Sequence, residues 1–249
     1  MQLDVASYTN IGGREENEDA TLCKQPEGFL LAAVADGLGG HGGGKTASTR
    51  AIQALEEHAP LIRIMNEESL REACALANRA VLDAQTSQVR MKTTLALAAI
   101  SEDALAFLHV GDSRAYLFRA GEIEYQSQDH SVSQLAVLMG AIRPEQIRFH
   151  EDRNKVLRSL GTEAGATPEI HVEDEPLREG DAVLLCTDGF WEYVTEREML
   201  RTLRRARNAE DWMTRMVVLI KRRAGKKNDN NSAVAVLCPK AKRTTGWRI

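Results

Sequence analysis

The chain has 249 residues, 43% hydrophobic and 27% charged, an ordinary soluble composition with enough length to bury one sizeable core. Its formal net charge of −4 argues against a nucleic-acid binder driven by phosphate contacts. No apolar run approaches the ~20 residues of a membrane span, and Met1-Gln2-Leu3-Asp4 lacks the basic and apolar regions of a signal peptide, so a cytoplasmic protein is expected.

Along the chain, Arg14 to Asp19 is a polar segment between two strand-like runs. Phe29 to Ala35 is apolar and ends at Asp36-Gly37, which predicts a buried strand and a turn. A glycine-rich stretch, Gly39 to Gly44, leads into a predicted helix over Lys45–His58, and a second is expected over Glu67–Ser87. Four short strands follow: Thr94–Ile100, Leu105–Val110, Ala115–Arg119 and Glu122–Gln126. Only turn-sized pieces separate them, which permits antiparallel pairing, forbids parallel crossovers and predicts a β-meander. Val132–Met139 and Pro144–Phe149 read as short helices split by Gly140. Val183–Cys186 is another apolar strand ending in Asp188-Gly189, Glu196–Ala206 and Ala209–Arg223 are helices, and Ala233–Cys238 is a last strand after Asp229-Asn230.

No linker composition marks a boundary, so one domain over residues 1–239 is expected, with a basic tail over 240–249 as a loose terminus. The widely spaced Cys23, Cys74, Cys186 and Cys238 read as reduced thiols, not as a disulfide frame or a zinc site. Helices alternating with antiparallel strands give an α+β fold, most simply helices outside two stacked sheets.

Asp36, Asp112 and Asp188 each end a strand-like run, and Asp229 precedes one. Buried strands fix their ends rigidly, so ligands mounted there can converge from distant sequence. Crowded carboxylates repel and protonate unless a cation joins them. All-oxygen ligands point to Mg²⁺ or Mn²⁺ and away from zinc. Any one Asp-Gly is equally good turn chemistry. Asp36, Asp188 and Asp229 together, each abutting an apolar strand, favour an acidic metal site. Arg14 lies close to Glu18 and Asp19 and could offer a bidentate fork to a phosphate. A rival motif is Gly39–Thr46, which satisfies the P-loop pattern GxxxxGK[ST] after a strand and before a helix. P-loop folds need a parallel sheet, and that reading leaves Asp36, Asp112 and Asp229 without a role.

Taken together, Arg14–Asp19, Val34–His41, Thr93-Thr94-Leu95, Val110–Tyr116, Asp129-His130-Ser131, Arg153-Asn154 with Leu157–Gly161, Leu185–Trp191 and Asp229–Ser232 resemble, in order, the motifs of the protein phosphatase 2C-like (metal-dependent PPM) family in its small bacterial form. The resemblance implies two antiparallel sheets sandwiched between helix pairs. It implies hydrolysis of phosphoserine and phosphothreonine on proteins by a water activated between two Mg²⁺ or Mn²⁺ ions. Asp36 would bridge the two ions, with the Gly37 carbonyl on one of them and Asp188 and Asp229 on the other. Glu18 and Asp19 would support the site, and Asp112 with Asp188 matches a weaker third position. Arg14 would hold the substrate phosphate, and residues 131–158 match a flap beside the site. A monomer opposing a partner kinase is implied, in general signalling or, by overall resemblance, in the threonine-phosphorylation switch of type VI secretion.

Three departures from the family pattern stand out. Leu38 occupies the place of a His proposed to protonate the leaving group in eukaryotic relatives, which leaves the general acid unassigned, with His41 the near neighbour in sequence. Lys45 stands where many bacterial relatives carry Glu, and Lys92 replaces a usual Gly. Besides the P-loop NTPase, a non-catalytic binding module of the same fold is the alternative, and loss of Asp36, Asp188 or Asp229 would have favoured it.

Overall fold

The computed structural model describes residues 2–25, 28–39, 43–164 and 166–239. The basic tail at 240–249 lies outside them, as do Gly40, His41 and Gly42 of the glycine-rich stretch. Two antiparallel sheets stack face to face. One contains, in spatial order, β1 (Asp4–Asn10), β11 (Asn231–Leu237), β10 (Ala182–Cys186), β7 (Arg114–Arg119) and β8 (Glu122–Gln126). The other contains β2 (Asp19–Lys24), β3 (Phe29–Leu38), β5 (Leu95–Ser101), β6 (Leu105–Val110) and β9 (Glu169–Val172), with the two-residue β4 (Lys92–Thr93) on β3. The central strands are apolar throughout because both of their faces are covered, unlike the alternating strands of a one-sided sheet.

The period of two sorts their side chains cleanly. On β3 and β5, Leu30, Ala32, Val34, Ala96 and Ala98 point between the sheets, where they meet Val183, Leu185 and Val234 of the opposite sheet. Their neighbours Leu31, Ala33, Leu95 and Leu97 point outward against α1 (Gly43–Glu57) and α3 (Glu67–Ala84). Leu184 and Ala235 point the other way, toward Trp212 and Met216 of α7 (Ala209–Arg223) and Met199 of α6 (Glu196–Leu203). The result is the expected helix–sheet–sheet–helix order. Among the described residues no helix is long and apolar enough to cross a membrane. Cys74, Cys186 and Cys238 are buried, Cys23 is exposed, and all four are free thiols.

The predicted meander is not formed as one sheet. β5 pairs with β6 and β7 with β8, but β6 and β7 belong to different sheets. Turn length alone cannot tell a hairpin from a step between stacked sheets. The step is made at Gly111, whose φ of +104° suits glycine, and a Cβ there would lie 2.7 Å from Thr94 Cγ2. The crossing places Asp112 on the turn that joins the two sheets.

Helix lengths also differ from expectation. α3 stops at Ala84, three residues short of the predicted end, because Gln85 turns extended and its side-chain amide donates to the carbonyls of Met91 and Gly161, both at 2.8 Å. At its start Asn66 and Ser69 cap each other reciprocally. α6 ends at Leu203, before the predicted Ala206. Two short helices were not anticipated, α2 (Ala59–Ile62) and α5 (Asp188–Trp191). The flap holds α4 (Val132–Leu138), capped by Ser131, and a 3₁₀ helix over Pro144–Phe149. It is tied down from beneath: Arg148 reaches Glu196 at 2.5 Å, and Glu196 also accepts from Arg114, whose guanidinium forks onto Asp129 at 2.7 Å twice and lies 3.6 Å over the Trp191 ring. Lys92 points to solvent on β4, so the residue that departs from the family pattern disturbs no packing.

Candidate metal centre

Strand ends from both sheets open into one cleft of about 820 Å³. Of the residues singled out in the sequence, Arg14, Glu18, Asp36, Gly37, Asp112, Asp188 and Asp229 line it. Asp19 sits directly behind, buried, with its Oδ2 accepting from Thr187 Oγ1 at 3.0 Å. The ladder explains part of this convergence. Asp19 and Asp36 are paired across β2 and β3, so two carboxylates oppose each other near the ends of their strands, an arrangement that destabilises a sheet unless something neutralises it. Asp188 enters from β10 as the first residue of α5, and Asp229 lies two residues ahead of β11.

Backbone clamps fix these positions. Thr94 does so for Asp36: its N–H donates to the Asp36 carbonyl and its Oγ1 accepts from the Asp36 N–H, both at 2.9 Å. Thr93 Oγ1 adds a bond to the same carbonyl at 2.8 Å, and Thr94 Oγ1 continues to Ser113 Oγ, beside Asp112, at 2.7 Å. Trp191 donates its indole N–H to the Asp112 carbonyl at 2.9 Å. Gly37 is held so close to the start of α1 that a Cβ would lie 2.1 Å from the Gly44 carbonyl. In the sequence the Thr-Thr pair and Trp191 stand out only as motif members. Their signal was polar or indole N–H chemistry abutting buried runs.

Asn230 is the most connected of the supports that sequence reasoning left without a role. Its amide donates to the carbonyls of Ile11 at 2.8 Å and Glu16 at 3.0 Å, and its Oδ1 accepts from the Glu18 N–H at 2.8 Å. One side chain thereby ties the Arg14–Glu18 segment to Asp229. Asn230→Ala is expected to weaken divalent-ion binding about tenfold, the range for groups that orient metal ligands. It should also cost about 1–3 kcal/mol for the buried partners left unpaired. Mn²⁺ titrations and urea unfolding read the two effects separately, and unchanged Mn²⁺ affinity would sink the first.

The electrostatics are those of an overcrowded acid cluster. Burial, reinforced by the neighbouring aspartates, pushes Asp36 and Asp188 well above the usual carboxylate range. Burial likewise raises Asp19 and Asp112 to about 7, with Asp229 adding to it at Asp19 and Asp129 at Asp112. Two carboxylate oxygens, Asp188 Oδ1 and Asp19 Oδ1, are buried with no hydrogen-bond partner in the protein. Unpartnered carboxylate oxygens in an oxygen-only donor set fit hard divalent cations. The cation on the protein side is Arg14, exposed at the mouth of the cleft, with Nη2 2.6 Å from Asp229 Oδ2.

The P-loop reading fails on the same geometry. The Glu18 carboxylate lies against the start of α1, where the Gly44 and Lys45 amides, which such a loop would turn toward a phosphate, favour its charged form. Lys45 itself reaches Glu16 at 3.4 Å, and among the described residues every paired strand is antiparallel. His41 lies outside the described residues.

A second group of metal-type ligands stands outside the cleft. His109, His130 and Glu169 have ligand atoms within 4.8 Å of one another. The two imidazoles stack at 4.5 Å and 17°, so their in-plane lone pairs do not converge on one point, and His130 Nδ1 already accepts from the Gly111 N–H at 3.1 Å. The group works as packing: the His130 carbonyl accepts from Leu157 N–H at 2.7 Å and pins the end of the flap.

Comparison with known proteins matches residues 8–228 to the family model for protein phosphatase 2C. The serine/threonine protein phosphatase PstP of Mycobacterium tuberculosis is 32% identical over 221 residues, 86% of this chain but only 41% of PstP, so this chain spans less than half that relative's length. The catalytic domain of PstP, solved in complex with two manganese ions, superposes with a TM-score of 0.75 at 28% identity, covering 96% of this chain and 99% of that one. PppA, described as a key regulatory component of T6SS in Pseudomonas aeruginosa, superposes with a TM-score of 0.78 at 30% identity, covering 95% and 98%.

Proposed function

Because this chain belongs to the protein phosphatase 2C family, we propose that it hydrolyses phosphoserine and phosphothreonine esters on proteins, using divalent cations held in the acidic cleft. The observation that carries the reading is the convergence of Asp36, Asp112, Asp188 and Asp229 on one cleft, with Asp188 Oδ1 there and Asp19 Oδ1 behind it buried without a partner. Asp36 and the Gly37 carbonyl would hold one ion, and Asp36, Asp188 and Asp229 a second. Asp112 with Asp188 would form a weaker third position, supported from behind by Glu18 and Asp19. The oxygen-only donor set suits Mg²⁺ or Mn²⁺, and the PstP catalytic domain was solved with two manganese ions. When bound, such cations supply an acidified water and positive charge opposite the phosphoryl oxygens.

The remaining work falls to the chain. Arg14 stands half exposed at the cleft mouth, and its planar fork suits the equatorial oxygens of a phosphoryl group. Its bond to Asp229 keeps the guanidinium pointed inward and protonated, since that carboxylate raises its pKa. Asn154 and Val156 bring the flap to the rim, where the segment flanking the phosphorylated residue would lie. The natural substrates are phosphoproteins, and the chain would reverse a partner Ser/Thr kinase in the cytoplasm. The likeness to PppA supports a regulatory setting such as type VI secretion.

The test is direct. A phosphothreonine peptide and ATP are each incubated with the protein in Mn²⁺, in Mg²⁺ and in excess EDTA, beside Asp188→Ala. Peptide dephosphorylation that needs metal and Asp188, with ATP untouched, is the expected result. ATP cleavage with an inert peptide would return the P-loop to contention, and silence on both would favour a binding module.

A further inference from the structure

Positive charge is concentrated in one stretch of the chain. Residues 196–227, which form the α6–α7 hairpin and the turn after it, carry eleven Lys and Arg against four Asp and Glu, in a chain of net charge −4. Several of these cations are engaged locally: Arg223 and Arg201 on Glu198, Arg207 and Arg215 on Asp211, and Arg204 on the Gly121 carbonyl. Among the described residues, Arg197, Arg205, Lys221, Arg222, Lys226 and Lys227 are exposed and have no carboxylate within ion-pair reach. Exposed cations without a carboxylate partner make a field directed at an external anion.

The end of that stretch lies beside the cleft. Gly13, on the cleft wall next to Arg14, packs so tightly on the 226–227 backbone that a Cβ would lie 2.1 Å from the Lys226 carbonyl and 2.8 Å from Lys227 Cα. Its N–H donates to the Asn228 carbonyl at 2.9 Å, and Asp229 follows. The rim also carries acids, Glu15 and Glu16, and Glu16 is partly neutralised by Lys45. The approach is therefore polarised, positive on the 226–227 side.

We propose that this basic stretch selects polypeptide substrates whose phosphorylated residue is flanked by further acidic or phosphorylated residues, Lys226 and Lys227 receiving the flank nearest the cleft. The inference rests on the phosphatase reading and adds to it the substrate's charge. A polypeptide is favoured over other anions by what surrounds the charge. Val218 is the single large apolar side chain exposed in this stretch among the described residues, too little for a helix that lies in a lipid surface. The net negative charge of the chain opposes general binding to nucleic acid.

The experiment compares kcat/KM for phosphothreonine peptides with acidic, neutral and basic flanks and for a small aryl phosphate, at low and physiological ionic strength. The parent is expected to prefer the acidic flank about tenfold at low salt, with the preference shrinking as salt screens it. A double variant, Lys226→Ala with Lys227→Ala, should lose most of that preference and keep its aryl phosphate activity. Equal rates for all three peptides in the parent, or an undiminished preference in the variant, would overturn the proposal. So would loss of aryl phosphate activity together with peptide activity, which would make the lysines supports of the site. Capture of the parent but not the variant on phosphatidylserine vesicles or DNA, with peptide selection unchanged, would assign the stretch to those anions instead. An inert parent would overturn the phosphatase reading and this inference with it.

Discussion

Asp36→Asn is expected to lower phosphatase kcat by about 10³-fold and, in EDTA, to raise the melting temperature. The two effects have opposite signs because they come from one charge. Asp36 is held by its backbone, through Thr93 and Thr94, and its carboxylate takes no part in those bonds. The amide should therefore occupy the same place. Without metal, it removes a carboxylate that burial and then Asp188, Asp19, Asp112 and Asp229 push well above the usual range. Relief of about 1 kcal/mol corresponds to roughly 2–4 °C for a chain of this size. With metal, the shared ligand is gone, and a loss of about 4 kcal/mol of transition-state charge stabilisation corresponds to about three decades in rate. A variant that is both inactive and less stable in EDTA would mean that Asp36 serves the fold. One that stays active would remove it from the chemistry.

Much of this arrangement was legible because a short apolar run that stops at an aspartate says two things at once. The run is a buried strand, and the aspartate is at its rigid end. That holds for Asp36 and Asp188, and the structure brings both into the cleft. What sequence could not carry was pairing at a distance. Arg14 meets Asp229 across 215 positions, and Asn230 binds the carbonyl of Ile11 across 219. Neither pattern has a local signal. The step between sheets at Gly111 was missed for a related reason: a three-residue turn is equally short whether it closes a hairpin or changes layer. β9 lacks the apolar signal of a strand, since Glu169 and His171 occupy the face that meets the other sheet, where His171 stacks on Tyr125 at 4.3 Å. The literal P-loop match misled because the spacing of glycines and a lysine says nothing about which anion takes the helix amides. Here it is Glu18, from the chain itself.

The acid cluster also sets a pH signature that bound metal should erase. Asp19 and Asp112 titrate near 7 in the folded chain, against roughly 3.9 for an unfolded aspartate. Asp36 and Asp188 are raised further in the same direction by burial and mutual repulsion. Between those values the folded state binds more protons than the unfolded one, so stability falls as pH rises. The slope is up to about 1.4 kcal/mol per pH unit for each proton retained. Two other sets of groups fix the window in which this is visible. Burial depresses His109 to about 4, so from pH 4 to roughly 6.5 its unfolded form takes the extra proton and opposes the aspartates. Glu198, held down to about 2 by Arg223, acts only in acid, where its stabilising contribution is lost as the pH falls. Between about pH 6.5 and 8 the cleft aspartates act alone among these groups. Urea unfolding in EDTA should therefore give lower stability at pH 8 than at pH 6.5, by about 1 kcal/mol or more. Saturating Mn²⁺ binds the ionised carboxylates, adds about 2.7 kcal/mol at a hundredfold excess over Kd, and adds most where the metal-free chain is weakest. The metal-induced gain should thus be larger at pH 8 than at 6.5. A metal-free stability that climbs across that interval, or a slope that is the same with and without Mn²⁺, would mean that these carboxylates are not the ligands.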